Sequence, residues 1–390
     1  IDGNKFVNTA LKKGAGCIIS SKNLKKNNKK IITVKNPISF LNSFAKFKRK
    51  LSSAKIIAVT GSAGKTSLKN LIKDLLQNLG KTCYSSKSFN NHLGVPISLS
   101  NLSFDDKFGV FEVGMSRAGE IKNLSRLIEP HIGVITNIGE AHIENFRSVH
   151  EIAKAKSEII ENISEGGTII LNRDDKFFNY LSKKAKSYKL NISSFGYHKK
   201  SDVQIEKIIN KENYSKIFIN INNLIIDLEI RDLNIYNVLA SIAVLKVLKI
   251  DINKIKAKLK NFESPEGRGK KYSIIRYKKK FNLIDESYNA NPLSVKNAIH
   301  KLNLIKKEKF KKYLILGDML ELGPKSNKYH EQLSKVINKS DIDKVFIKGK
   351  KTIFTYKQLN KDKRGNILQD NEDIDISLRE MISNNDHLMI

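Results

Sequence analysis

The run Ile56-Ile-Ala-Val-Thr60-Gly61-Ser-Ala-Gly64-Lys65-Thr66-Ser67 decides how this chain is read. Its apolar first half has the composition of a buried strand, the glycines break that strand, and a helical pattern follows over 66–79. A strand, a glycine turn and a helix N-terminus together form an anion site. Backbone N–H groups point at the ligand, and the helix dipole favours negative charge. Gly61 and Gly64 supply the turn, Lys65 can reach β- and γ-phosphates, and the Thr66 hydroxyl can sit on Mg²⁺. The loop is two residues shorter than G-x-x-x-x-G-K-[ST], because Val59 stands where the first glycine would be.

On either side of this loop, strand-like runs at 56–60, 109–113, 132–136 and 168–171 alternate with helical patterns at 66–79, 119–128 and 149–163. Short apolar runs separated by amphipathic helices predict a parallel sheet covered on both faces. Residues 203–230 alternate as an antiparallel stretch does, and an apolar helix is predicted over 235–249. Upstream, a helix and a strand are expected within 6–20, a solvated Lys-rich loop at 22–30, and a second helix at 38–52. Ser264-Pro265-Glu-Gly-Arg-Gly reads as a linker. Beyond it a second α/β pattern has strands at 272–276, 281–285, 313–316 and 344–348 and helices at 293–305 and 327–338. The expected class is α/β: a partial N-terminal α/β domain (1–53), a central P-loop-type parallel-sheet domain (54–263) and a C-terminal Rossmann-like domain (264–390). Ile1 in place of Met, and a final run that stops inside a strand-like pattern, are expected of a chain cut at both ends.

At 390 residues, 40% of them hydrophobic, the chain can build two or three separate cores. No uncharged apolar stretch approaches the length of about 18 residues that a membrane helix needs. Cys17 and Cys83 lie far apart and outside metal-ligand spacing, as in a reduced cytoplasmic protein. The net charge of +32 raises the question of nucleic acid. The cations are mostly Lys and are spread along the whole chain together with abundant Asn and Ile. That pattern reads as compositional drift, and the chain lacks the aromatic-plus-Arg platform that single-strand binders use.

Three further residues carry candidate chemistry. Glu112 ends an apolar strand; it is either a solvated strand-end carboxylate or, at the carboxyl edge of a parallel sheet, a group facing the ligand crevice. His142 follows the strand at 132–136 and on its own reads as a packed loop histidine. Lys156 sits in Ala153-Lys-Ala-Lys156 and on its own reads as one of many surface lysines.

Taken together, Gly61–Ser67, Phe89-Asn-Asn-His-Leu-Gly-Val-Pro96, Glu112-Val-Gly-Met-Ser-Arg-Ala-Gly-Glu-Ile121, Thr136-Asn-Ile-Gly-Glu-Ala-His142 and Ala153–Lys156 resemble the Mur ligase central domain in order and spacing. Tyr288-Asn-Ala-Asn-Pro292 and Leu316-Gly-Asp-Met-Leu-Glu-Leu-Gly323 resemble the branch of that family that adds D-alanyl-D-alanine. The resemblance covers nearly the whole chain and implies three domains, for a UDP-linked substrate, for ATP, and a Rossmann-like closing domain. It also implies a reaction. ATP phosphorylates the terminal carboxylate of UDP-N-acetylmuramoyl-tripeptide, and the amine of D-alanyl-D-alanine displaces phosphate from the acyl phosphate.

By the same resemblance, Lys65 and Thr66 serve the γ-phosphate and a first Mg²⁺ with Glu112 beside it, and His142 helps hold a second metal. Lys156 matches a lysine carbamylated by CO₂, which turns a cation into an anionic metal ligand. Gly61, Gly64, Ser67 and Asn137 join the nucleotide contacts, Asn289 and Asn291 face adenine, Arg268 and Glu286 face ribose or phosphates, and Asn90 and Asn91 face substrate. A monomer that binds neither nucleic acid nor membrane is expected. Two departures stand out: Glu286 where the family often has Asp, and Leu233 before Asn234 where a histidine is usual. The alternatives are a different amide ligase of this architecture, such as a folylpolyglutamate synthase, and a nucleic-acid-stimulated P-loop ATPase.

Overall fold

A computed structural model describes residues 2–24, 29–211, 214–231, 233–306 and 309–390. Part of the Lys-rich stretch expected as a loop, 25–28, lies outside the described residues. The strands fall into three sheets. The first pairs β1 (Ile18–Ser20) with β2 (Ile31–Thr33) in parallel. The second contains β3 (Lys55–Thr60), β4 (Thr82–Tyr84), β5 (Phe108–Glu112), β6 (Ile132–Ile135), β7 (Thr168–Asn172), β8 (Asn191–Gly196), β9 (Val203–Asn210), β10 (Ser215–Ile221) and β11 (Leu224–Ile230). Its order is β11-β10-β9-β8-β7-β6-β3-β5-β4. The third contains β12 (Lys270–Arg276), β13 (Lys279–Asp285), β14 (Lys312–Gly317), β15 (Lys344–Lys348), β16 (Arg364–Ile367) and β17 (His387–Met389), in the order β12-β13-β17-β14-β15-β16. The expected class holds: mixed α/β with mainly parallel sheets.

The central run explains the layering. Ile56, Ile57, Ala58 and Val59 are all fully buried, which requires cover on both faces of β3. Successive strand residues point to opposite faces. Ile57 and Val59 accordingly share a core with Leu68, Leu71 and Ile72 of helix Lys65–Gln77 and with Val238 and Ile242 of helix Ile235–Val247. Ile56 and Ala58 share the opposite core with Ile121 and Leu124 of helix Glu120–Ile128 and with Ile152 of helix Val149–Lys156. The alternating stretch at 203–230 becomes the antiparallel edge β9–β10–β11, as its period of two requires.

Strand order then places the site. After β3 the chain runs past β5's position to β4, returns to β5, and only then crosses to β6 on the other side of β3. The direction of winding therefore reverses at β3, and ligands of open α/β sheets bind at such a reversal, outside the carboxyl ends of the strands. Those ends are Thr60, Glu112 and Ile135.

Several elements differ from the periodicity reading. The helix expected over 149–163 is α-helical only to Lys156 and continues as a 3₁₀ turn over Ser157–Asn162. There the Ser157 hydroxyl donates to the Lys154 carbonyl (2.6 Å), a local bond that competes with the α-helical ladder. Strand β4 and helix Gly94–Ser100 had no period to reveal them; one has three residues, and the other carries Gly, Pro and two Ser.

His131 joins β6 to β3. Its ring Nδ1 accepts the Ile56 N–H (3.0 Å), while its backbone N–H donates to the Ile56 carbonyl (2.9 Å). Burial, with Arg49 and Lys55 adding to it, lowers this imidazole from the ordinary 6.5 to about 4. Between those values the unfolded chain binds the extra proton. The stabilisation is therefore complete above pH 6.5 and is lost as pH falls toward 4. His131→Asn keeps an acceptor without a titrating ring. In urea melts at pH 7 and pH 5, the wild type should lose about 1–2 kcal/mol more than this variant, allowing for solvent screening of a half-exposed ring. Equal losses in the two proteins would contradict this account.

Candidate active site

Three strand ends build the loop. The Ser62 N–H donates to the Asn137 carbonyl (2.9 Å), and the Ala63 N–H donates to Asn137 Oδ1 (2.9 Å). Asn137 Nδ2 and the Thr136 hydroxyl both donate to the Ala63 carbonyl, at 3.1 and 2.7 Å. The Ser62 hydroxyl bridges Gly139 in both directions, at 2.8 and 3.0 Å. The turn is thus clamped along one side by the segment after β6. Gly61 takes φ 147°, and a Cβ there would lie 1.8 Å from the Thr136 hydroxyl oxygen. Gly64 takes φ 81° beside the Asn237 amide, which comes from helix Ile235–Val247.

Lys65 and Thr66 open helix Lys65–Gln77. The Thr66 hydroxyl donates to Glu112 Oε2 (2.7 Å), and Asn90 Nδ2 donates to Glu112 Oε1 (2.7 Å). Glu112 is 1% exposed, so it is no solvated strand-end group. The Lys65 ammonium donates to the Gly61 carbonyl (3.0 Å). Burial lowers its pKa; Glu112 opposes the shift and Arg268 adds to it.

Lys156 is also 1% exposed, which removes the surface-lysine reading. Among the described residues its ammonium forms no hydrogen bond or ion pair. Burial, and then the charge of Lys65, push its pKa well below the ordinary lysine value. Its charge reaches His142, which sits at φ 58° with Nδ1 against the Glu321 carboxylate. Burial lowers the imidazole pKa, Glu321 opposes that shift, and Lys156 and Lys65 reinforce it.

The third sheet closes the site from the other side. A cavity of about 940 Å³ is lined by Lys65, Thr66, Asn90, Glu112 and His142 and, opposite them, by Arg268, Glu286, Tyr288, Asn289 and Asn291. Arg268 lies over the Tyr288 ring (4.0 Å). Glu286 is held 3.7 Å from Lys301; burial raises its pKa and Lys301 opposes the rise. Asn291 Oδ1 accepts the Ser294 N–H (2.9 Å) to cap helix Pro292–Asn303, and its Nδ2 donates to the Ser62 carbonyl (3.4 Å). Tyr288 meets the Ser88 hydroxyl in a short hydrogen bond. The Glu144 N–H donates to the Glu321 carbonyl (3.1 Å).

Of the expected residues, Gly64, Lys65, Thr66, Ser67, Asn90, Asn91, Glu112, His142, Arg268, Glu286, Asn289 and Asn291 line this one cavity. Gly61 and Asn137 shape the loop behind it, and Lys156 lies buried alongside. Both oxygen contacts of Asn91 are local, to the Leu93 and Gly94 N–H groups (3.1 and 2.9 Å). Residue reading missed Glu321 as a partner of His142. The signal was the Leu316–Gly323 run, in which Glu321 takes φ 58°. It also missed the Tyr197–Tyr236 edge contact (5.6 Å) on the cavity wall.

Comparison with known proteins agrees with this architecture. A family model of the Mur ligase middle domain matches residues 59–245, and one of the Mur ligase, glutamate ligase domain matches residues 272–390. The chain is 35% identical over 362 residues to the UDP-N-acetylmuramoyl-tripeptide–D-alanyl-D-alanine ligase of Rickettsia prowazekii, covering 91% of this chain and 79% of that one. It is 31% identical over 352 residues to the Bacillus subtilis protein of the same name, covering 90% and 75%. Similar solved structures include MurF from Acinetobacter baumannii, with TM-score 0.87 and 25% identity over 100% of this chain and 84% of that one. Another is the MurF ligase of Thermotoga maritima in complex with ADP, with TM-score 0.84 and 26% identity over 99% and 87%.

The clash at Gly61 gives a direct test of the phosphate loop. Gly61→Ala should weaken ATP binding at least about tenfold by displacing the loop from Thr136, a cost of about 1.4 kcal/mol or more. Titration calorimetry with ATP and Mg²⁺ measures it, and unchanged affinity would rule out the clamp.

Proposed function

This chain belongs to the Mur ligase family, and we propose that it joins D-alanyl-D-alanine to UDP-N-acetylmuramoyl-tripeptide, with ATP as the energy source, in peptidoglycan precursor synthesis. It is an ATP-dependent ligase. The observation that carries the reading is one cavity shared by a phosphate loop, a buried Thr66–Glu112 pair and the Arg268–Tyr288 face of the third sheet. Domain boundaries near 53 and 263 and a cytoplasmic location, where ATP is available, belong to the same proposal.

The chemistry follows from a poor electrophile. A carboxylate repels nucleophiles and has no good leaving group, and phosphorylation repairs both faults. A carboxylate oxygen attacks the γ-phosphorus, the bond from that phosphorus to the bridging oxygen breaks, and ADP departs with the electron pair. The dipeptide amine then attacks the acyl carbon. The tetrahedral adduct expels inorganic phosphate, and the amine's proton is released. The protein's task is to gather anions and stabilise developing charge. Lys65 and the N-terminus of helix Lys65–Gln77 face the phosphates. Arg268 and Asn291 approach from the other side of the cavity, so closing the cleft both completes the site and keeps water from the acyl phosphate.

The hydroxyl of Thr66 and the carboxylate of Glu112 are hard oxygen donors in contact, a set that suits Mg²⁺. They would hold the ion, which when bound neutralises phosphate charge. Among the described residues no three His, Cys, Asp or Glu side chains converge as a ready metal cage. Near His142 the donors present are its imidazole and the Glu321 carboxylate, and a further anionic donor would strengthen the hold on a second ion there. Lys156 supports that role once modified. Its depressed pKa favours the neutral amine, whose lone pair adds to CO₂ with loss of a proton to give a carbamate.

Two experiments test this reading. The protein, given ATP, Mg²⁺ and UDP-N-acetylmuramoyl-tripeptide, should release phosphate only when D-alanyl-D-alanine is added, and should yield the pentapeptide product by mass. Release indifferent to the dipeptide, or stimulated by nucleic acid instead, would sink the proposal. With ¹³C-bicarbonate, the wild type should show a carbamate resonance that Lys156→Arg lacks. That variant should also lose activity by at least about 100-fold, the scale of removing one charge-stabilising group. An identical spectrum in both proteins would reject the carbamate.

A further inference from the structure

Lys69 lies one turn beyond Thr66 on the same helix and is 1% exposed. A buried lysine needs partners. This one has three: its ammonium donates to the Ser85 carbonyl (2.7 Å), the Lys87 carbonyl (2.9 Å) and Asn70 Oδ1 (2.7 Å). It is not among the residues that line the cavity, and its three bonds all run to the protein.

Two of those three bonds reach one segment, the turn from β4 to helix Gly94–Ser100. That segment is irregular, with Lys87 at φ 45°. It also touches several other parts of the site. The Ser85 hydroxyl accepts the Glu112 N–H (3.2 Å). Ser88 meets Tyr288 of the third sheet. Asn90 Nδ2 holds Glu112 Oε1, and the Asn90 carbonyl accepts the Gly114 N–H (2.8 Å). A loop without its own ladder keeps such geometry only if something rigid anchors it, and a helix-borne ammonium satisfying two of its carbonyls is such an anchor.

We infer that Lys69 is a positioning residue of this ligase: by holding the carbonyls of Ser85 and Lys87 it sets the segment through which Asn90 orients Glu112 and Ser88 meets Tyr288. The inference rests on the ligase reading above, and one arm of its test needs no turnover.

Lys69→Met keeps the buried stem and removes the donors; Lys69→Arg keeps a cation. Hydrogen exchange in Lys69→Met should speed up at the amides of Ser85, Phe89 and Gly114, while helix Lys65–Gln77 and β3 keep wild-type protection. In the ligase assay kcat should fall on the order of 10- to 100-fold, as for other groups that orient a metal ligand. KM for D-alanyl-D-alanine should change little, and Lys69→Arg should recover part of the loss. Lys69→Met combined with Asn90→Ala should be barely slower than the worse single variant, because both act on one contact. Exchange unchanged in the segment, or kcat losses that multiply in the double variant, would overturn the inference. A wild type that makes no product would count against the ligase reading alone, and the exchange arm would still decide Lys69. Should Lys69→Met fail to fold, Lys69→Gln, shorter and uncharged, carries the exchange and cycle measurements; wild-type behaviour in both would likewise overturn the inference.

Discussion

The hydrogen bond from Thr66 to Glu112 is the constraint on which the rest of the site depends. A carboxylate that is 1% exposed is costly unless its oxygens are occupied. Here Thr66 occupies one oxygen and Asn90 the other. To bring the three together, β3 and β5 must be neighbours in parallel register, with Val59 opposite Glu112. Helix Lys65–Gln77 must also start directly after the loop. The apolar strands and the helices that bury them can be viewed as the frame that keeps this contact at 2.7 Å.

From that contact the site grows outward in two directions. On the β6 side, Thr136 and Asn137 grip the loop through the Ala63 carbonyl and N–H. Gly61 is needed there because any side chain would occupy the space of the Thr136 hydroxyl. Toward the third sheet, the bonds are fewer and more dispersed: Asn291 to Ser62, Tyr288 to Ser88, and the Glu321 loop to His142 and Glu144. These polar contacts sit beside an apolar one: Leu293 lies against Gly139, and Met319 and Leu322 share a hydrophobic cluster with Ile138 and Ile143.

The positive charge is a separate matter. Lysines are spread over every part of the chain, and three near the phosphate loop stand apart from the rest. Lys65 and Lys156 have depressed pKa values because burial disfavours their charge. Lys69 is kept in place by carbonyl acceptors. A net charge of +32 describes the surface and says little about these three.

The sequence by itself determined the local grammar: the strand Ile56–Thr60, the glycine turn, the helix behind it, and the antiparallel edge at 203–230. Each is encoded in residues adjacent along the chain, by period and by glycine. Its motifs also named twelve of the residues that line the cavity, because short-range spacing carries family resemblance. Burial was not legible there. Lys156 looked like a surface lysine and Glu112 could have been a solvated strand end, since neither shows what packs over it. Contacts between distant segments were equally hidden. Lys69 with Ser85, His142 with Glu321 and Asn291 with Ser62 are separated by 16 to 229 positions, and nothing in the spacing of residues indicates them. Only strand order and the closing of the third sheet over the second bring those groups into reach, because a hydrogen bond depends on distance in space, and the chain's own periodicity constrains only near neighbours.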